Sequence, residues 1–231
     1  MSPPAGLRCS PSARGACSPR GRRSTGWSAS TAGGGRASRP DELWHIDKTV
    51  IRLVDGTRLC PHAVIDSFSR RILAWKVNEK FEAWTSANLL VAAGRGLDAG
   101  ERIPTLLADA GVENRNRFVD ALIEAGRLRR VLARVDICFS SSLIEAWWRS
   151  VKHLWLFLHP LDSAAKVRRL VEFYVAEHNS RLPHSSFGGQ TPEEMYFGTG
   201  GGVEERLAAG RRAACLARVA ANRAVSCSVC A

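Results

Sequence analysis

Three acids stand out by their surroundings: Asp47 in "LWHIDKTVIRLV", Asp109 in "TLLADAG" and Glu145 in "SSSLIEAWWRSVKHLWLF". Asp47 interrupts a strand-like apolar run, where an acid contradicts strand preference. Glu145 is the one carboxylate in a stretch dominated by tryptophan and aliphatic residues. Between Asp47 and Asp109 lie 61 residues (109 − 47 − 1), and between Asp109 and Glu145 lie 35 (145 − 109 − 1). Carboxylates held close together repel, so a site built from them needs a cation. The simplest alternative for Glu145 is a solvated ion pair with Arg149, four residues on, which contributes only about 0.2–0.5 kcal/mol.

Whether the three acids meet depends on the elements that carry them. At helical spacing, Ile144, Trp148, Val151, Trp155 and Leu158 form one apolar stripe, with Glu145 at its margin. Arg149 and Lys152 project from nearly the same side as Glu145. Upstream, "LWHIDKTVIRLV", "LCPHAVIDSF" and "RRILAWKV" read as three antiparallel strands, the first two joined by the turn signal "DGT". Helix, strand, helix and strand patterns then follow through "EAWTSANLLVAAGRGL", "RIPTLLAD", "VENRNRFVDALIEAG" and "RLRRVLAR", and "SAAKVRRLVEFYVAEHN" supplies a last helix. This order predicts an α/β fold, a mixed five-stranded sheet flanked by helices. A right-handed crossover lets the fourth strand lie parallel beside the first. Asp47 and Asp109 then come side by side at the edge of the sheet, and Glu145 completes the site from its helix.

The bulk properties suit a globular protein with a polyanionic partner, such as nucleic acid or an anionic membrane surface. The chain has 231 residues, 45% of them hydrophobic, enough for one sizeable domain plus tails. Its 33 basic and 22 acidic residues give a net charge of +11, which favours a polyanionic partner. No apolar run approaches the roughly 20 residues of a membrane span, and no signal-peptide segment opens the chain, so the expected place is the cytoplasm, with the nucleoid. Residues 1–40 hold 8 Ser, 7 Gly, 7 Arg and 5 Pro and are expected to be disordered, either a basic arm on DNA or an accidental extension. Residues 41–202 form the expected core, and 203–231 a basic C-terminal helix or tail. Seven scattered cysteines do not make a disulfide framework, and Cys227 with Cys230 is half a zinc site at best.

The combined pattern "WHIDKTVIRLVDGTR…HAVIDSFSRRILAW…LADAGVEN…SSSLIEAWWRSVKHLWLF…EHNSRLPHSSFGGQTPEEMYFGTG" resembles the integrase-type catalytic core of bacterial insertion-sequence transposases, related to retroviral integrases and the ribonuclease H-like fold. The resemblance covers roughly residues 41–200. It implies that Asp47, Asp109 and Glu145 are the catalytic, metal-binding acids of a DDE-type enzyme holding Mg²⁺ or Mn²⁺, two ions in all, since oxygen ligands suit such hard cations. It implies DNA contacts from Lys152 and Arg149, and from Asn179, Arg181 and His184 in the closing segment. The implied partners are DNA, further copies of the chain in the DNA complex, and a helix-turn-helix protein from an upstream frame. The implied activity is DNA strand cleavage and strand transfer in transposition; the rivals are an inactive DNA-binding remnant and a nuclease of the same fold.

Other polar residues have plainer readings. Asp66 in "AVIDSFSRR" is expected to organise a turn through its own backbone. Glu113 is expected to mark a helix start, and His62, His153 and His178 to be core or surface residues.

Overall fold

The computed structural model describes residues 37–80, 82–97, 103–109, 111, 114–132 and 142–224. The expectations for residues 1–36, Glu113, Cys227 and Cys230 lie outside them.

The run "LWHIDKTVIRLV" forms two strands rather than one: β1 (Leu43–Lys48) and β2 (Ile51–Arg52), both antiparallel to β3 (Arg58–Asp66). The register is the same on both sides of the break, since Lys48 faces His62 and Ile51 faces Leu59. The cause lies in β3. Thr49 N donates to Pro61 O at 2.8 Å, but proline has no N–H to return the bond. β4 (Ile72–Asn78) pairs with the other edge of β3, completing the expected meander.

After α1 (Trp84–Ala93) comes β5 (Thr105–Ala108), which lies parallel to β1, and after α2 (Arg117–Glu124) comes β6 (Arg129–Leu132), parallel to β5. The strand order β4-β3-β1-β5-β6, with β2 extending the β3 edge, is the expected mixed five-stranded sheet plus one short addition. It is a mixed sheet with helices on both faces.

Strand alternation divides the core into two layers. Trp44, Ile46, Val64, Leu106 and Ala108 pack with α1 and with Val119 of α2. Ala63 and Ile65 face the other way, against Ile144, Trp148 and Val151 of α3 (Ser142–Leu154) and Val167, Val171 and Val175 of α4 (Ala164–Ser180). The predicted stripe on α3 is correct through Val151 and then departs from the structure. The helix ends at Leu154, Trp155 leaves helical geometry, and a 3-10 turn at Leu156–Leu158 follows. Leu156 therefore takes the buried place, while Leu158 is exposed. Beyond α4, α5 (Pro192–Phe197) opens with a capping box between Thr191 and Glu194, and α6 runs over Val203–Ala224.

Candidate active site

Asp47 and Asp109 are brought together by the β1–β5 pairing. Leu43, Trp44 and His45 face Thr105, Leu106 and Leu107, an offset of 62 residues (105 − 43). Asp109 follows Asp47 by the same 62 (109 − 47), so the register continued past the last pair sets the two acids level. Their side is also fixed. Asp47 faces Ala63 across the antiparallel pair, and directly opposed residues share a face, so it points toward the α3 and α4 layer. Leu106 and Ala108 point to the opposite layer, and alternation turns Asp109 to the α3 side as well.

The Asp109 carboxylate is positioned by its own loop. Asn114 Nδ2 donates to Asp109 Oδ1 at 2.6 Å, and Gly111 N donates to the same oxygen at 3.2 Å. Asn114 is itself buried, and its backbone carbonyl accepts from Arg130 Nη1 at 2.9 Å, while that guanidinium pairs with Asp120 at 2.7 Å. Oδ1 is thus held by two donors from the following loop. Sequence reasoning did not assign this role to Asn114; its place five residues after Asp109 was the available signal.

Glu145 is the fourth residue of α3 and is exposed. Its anionic end sits in the first helical turn, where the helix dipole favours it. Among the described residues no ion pair links Glu145 to Arg149, so the simple i,i+4 alternative is not formed. Arg149 is exposed one turn further on. Lys152 is partly buried, and its pKa is lowered by that burial, against which the nearby Asp47 carboxylate acts to raise it. Lys152 on α3 therefore lies within electrostatic reach of Asp47.

Among the described residues no three His, Cys, Asp or Glu side chains stand close enough to hold one metal ion. Asp47, Asp109 and Glu145 are thus not a ready-made ligand cluster in this conformation. Their chemistry nonetheless fits a hard divalent cation, with carboxylate oxygens as the only donors and one carboxylate already oriented by an amide.

The closing segment is largely a clasp. Asn179 accepts from Ile72 N at 2.9 Å and donates to Ile72 O at 3.0 Å, so both ends of its amide serve the β4 backbone. His178 Nε2 donates to Arg70 O at 2.9 Å, and burial lowers its pKa. Arg181 is exposed and lies 3.5 Å from Glu177. His184 accepts at Nδ1 from Ser186 N at 3.3 Å. His62 is buried in β3, and His153 packs edge-on to Phe157.

Asp66 organises the turn as expected: its Oδ2 accepts from both N and Oγ of Ser69 at 2.7 Å. The structure adds a longer-range role. Asp66 Oδ1 accepts from Asp41 N at 3.0 Å, while the Asp41 carboxylate accepts from Trp44 Nε1 at 3.0 Å and from Tyr196 Oη at 2.7 Å. This buried network ties α5 to the start of β1. Burial pushes the Asp66 carboxyl and the Tyr196 phenol up, with the Asp41 bond adding to the latter.

No protein-family model matches the chain. Over 159 residues it is 25% identical to InsK of Escherichia coli strain K12, assigned as the transposase of insertion sequence element IS150. The match takes in 69% of this chain and 56% of that protein, so the chain spans about half the length of this curated relative. In fold it is similar to the HTLV-2 integrase catalytic core domain, solved in complex with magnesium, with a TM-score of 0.54 at 17% identity over 70% of this chain and 99% of that one. It is likewise similar to a chain of the simian T-cell lymphotropic virus intasome solved with the PP2A regulatory subunit B56 gamma, with a TM-score of 0.56 at 18% identity over 70% and 56% of the two chains. The integrase-type resemblance read from the acids is supported by sequence and by fold.

Proposed function

We propose that this integrase-type transposase core catalyses DNA strand cleavage and strand transfer, with Asp47, Asp109 and Glu145 as its acidic triad and a divalent metal as cofactor. What supports the reading is the parallel β1–β5 register, which, continued two residues past its last pair, sets Asp47 and Asp109 level on the side of the helix that bears Glu145. Bound Mg²⁺ or Mn²⁺, two ions in the full site, would lower the cost of ionising the attacking hydroxyl and of charging the leaving oxygen. Asn114 holds Asp109 in one orientation, and Lys152 offsets the Asp47 charge. Arg149 and Lys152, with Arg181 and His184 further off, offer cationic or donor groups to the phosphate backbone; Asn179 contributes by holding α4 in place.

In cleavage, water attacks a phosphodiester, a P–O bond forms, and the 3′-oxygen departs with a proton. In transfer, the freed 3′-hydroxyl attacks a second phosphodiester and displaces its 3′-oxygen. One P–O bond replaces another, so the step requires no nucleotide cofactor and no covalent enzyme intermediate. DNA and further copies of the chain are the proposed partners, with a helix-turn-helix protein of an upstream frame reading the element ends. No described helix is long and apolar enough to cross a membrane.

A second reading, a DNA-binding remnant without activity, draws on the absence of a three-ligand cluster among the described residues. Incubating the full chain with labelled element-end DNA and Mg²⁺, with and without a 3′-hydroxyl acceptor, separates the readings. Acceptor-dependent joined products support the transposase, cleavage without joining supports a nuclease, and binding without either supports the remnant.

A further inference from the structure

A cleft of about 510 Å³ opens on the flank of α3 away from the acids. Leu143, Ala146, Trp147 and Ser150 recur at spacings of three and four and line it, whereas Glu145 and Lys152 lie about half a helical turn round. Its other walls come from Arg70 in the β3–β4 turn, from Tyr174 and His178 of α4, and from the Leu182–His184 segment. The size is that of a small-molecule site, roughly 300–1,000 Å³.

The lining is one-sided in its chemistry. Among the described residues that form it there is no carboxylate, while Arg70 brings a positive charge that lowers the His184 pKa, after the larger effect of burial. Because His184 Nδ1 accepts from Ser186 N, the neutral ring carries its proton on Nε2 and can donate. Arg70 has φ of 67°, a left-handed conformation that favours glycine. That conformation is held from both ends, by Arg70 N donating to Asp66 O at 3.0 Å and by His178 Nε2 donating to Arg70 O at 2.9 Å. A strained residue fixed so firmly at the rim of a cleft is where function is to be sought. The cleft also has an aromatic wall, with the Tyr174 and His178 rings within 10° of parallel and Trp147 edge-on to both.

We infer that this cleft holds one nucleotide of an unpaired DNA strand, its phosphate on Arg70 and His184 and its base against the Trp147–Tyr174 wall. Cationic contacts to phosphate joined to an aromatic platform are how single strands are gripped without sequence preference. The net charge of +11 favours such a polyanion over an acidic peptide, which offers fewer charges for the same pocket. The inference rests on reading the chain as a DNA-acting core, and it assigns to the far flank of α3 a strand other than the one at the acids.

The test uses the full chain in EDTA, so that no strand is cut, and compares a duplex bearing a short unpaired tail with the same duplex made blunt, by fluorescence anisotropy across a salt series. Arg70→Gln removes the charge and keeps the backbone tether to His178; Ala146→Trp fills the cleft from α3. Ala146→Trp should keep the parent's melting temperature, and both variants, in their folded form, should keep the parent's blunt-duplex affinity while losing several-fold in affinity for the tail. Arg70→Gln should also lower the tail's log–log salt slope by about 0.7, the value for one single-strand phosphate. Folded variants that bind the tail as the parent does would overturn the inference, as would an acidic aromatic peptide that binds in an Arg70-dependent way while the tail does not. A parallel incubation of the parent with element-end DNA and Mg²⁺ reads cleavage: tail binding lost in these variants with no cleavage in that incubation would sink the transposase reading and leave the cleft standing, and cleavage there with unchanged tail binding would do the reverse.

Discussion

Asn114 Nδ2 donates to Asp109 Oδ1 at 2.6 Å, and the Asn114 backbone is in turn held through its carbonyl by Arg130. A buried amide thus decides which way the Asp109 carboxylate turns. Groups of this kind around metal-binding residues typically matter by about 10–100-fold in affinity or activity. Asn114→Ala is expected to lower strand cleavage and apparent Mg²⁺ affinity within that range while DNA binding in EDTA is unchanged. Raising Mg²⁺ should recover part of the rate. Unaltered cleavage at limiting Mg²⁺ would show that Asp109 does not depend on this bond.

Lys152 carries two opposing effects: burial disfavours its charge, and Asp47 favours it. Lys152→Ala removes both, so its melting temperature should shift little, equivalent to less than about 1 kcal/mol. DNA binding should weaken, with the log–log salt slope falling by about 0.9, as for one duplex phosphate. A large stability loss with unchanged DNA affinity would make Lys152 a structural residue.

Asn179 distinguishes a clasp from a phosphate contact. Its amide makes two hydrogen bonds to the Ile72 backbone. Asn179→Ala leaves a partly buried N–H and C=O unsatisfied, and about 1–3 kcal/mol of stability should be lost for each such group left dry. Denaturant unfolding would measure that loss. DNA affinity of the folded fraction should remain near the parent's; a tenfold loss of affinity without destabilisation would restore Asn179 to the DNA interface.

Asp66 gives the fold a pH signature. Its folded pKa is raised above the ordinary 3.8, chiefly by burial, with its hydrogen bonds opposing. Between the unfolded and folded values the native state binds the extra proton. The contribution of Asp66 is therefore full below 3.8 and is lost as pH rises through the raised value. Subtracting the melting profile of Asp66→Asn from that of the parent should leave a stability difference that declines with rising pH just above 3.8. A difference that grows with pH there would mean that the carboxylate is favoured in the fold.

The sheet order, including the parallel β1–β5 pairing on which the Asp47–Asp109 expectation rests, could be read from the sequence because strand alternation, a turn signal and one crossover rule are local or nearly so. The position of Glu145 followed from the stripe Ile144, Trp148 and Val151. The end of α3 did not, since Trp155 leaves the helix with no glycine or proline beside it and Pro160 comes five residues later. Nor was the β1–β2 break foreseen, because its cause, Pro61, sits on the partner strand. Asn179 and Tyr196 were hidden for the same reason: their partners, Ile72 and Asp41, lie 107 and 155 residues away.

The central claim is that Glu145 joins Asp47 and Asp109 on metal. Glu145→Gln preserves shape and most helix propensity but replaces an anionic ligand by a neutral one. Without metal it should be about as stable as the parent, because lost dipole stabilisation of about 0.3–1 kcal/mol is offset by reduced repulsion among the acids. Glu113→Gln, a change outside the described residues, serves as the control. The most direct measurement is the shift in melting temperature on adding Mg²⁺ or Mn²⁺ to parent, Glu145→Gln and Glu113→Gln, paired with strand transfer on element-end DNA. The parent and Glu113→Gln should show a metal-dependent rise and active transfer, and Glu145→Gln neither. A Glu145→Gln protein that keeps both would contradict the account.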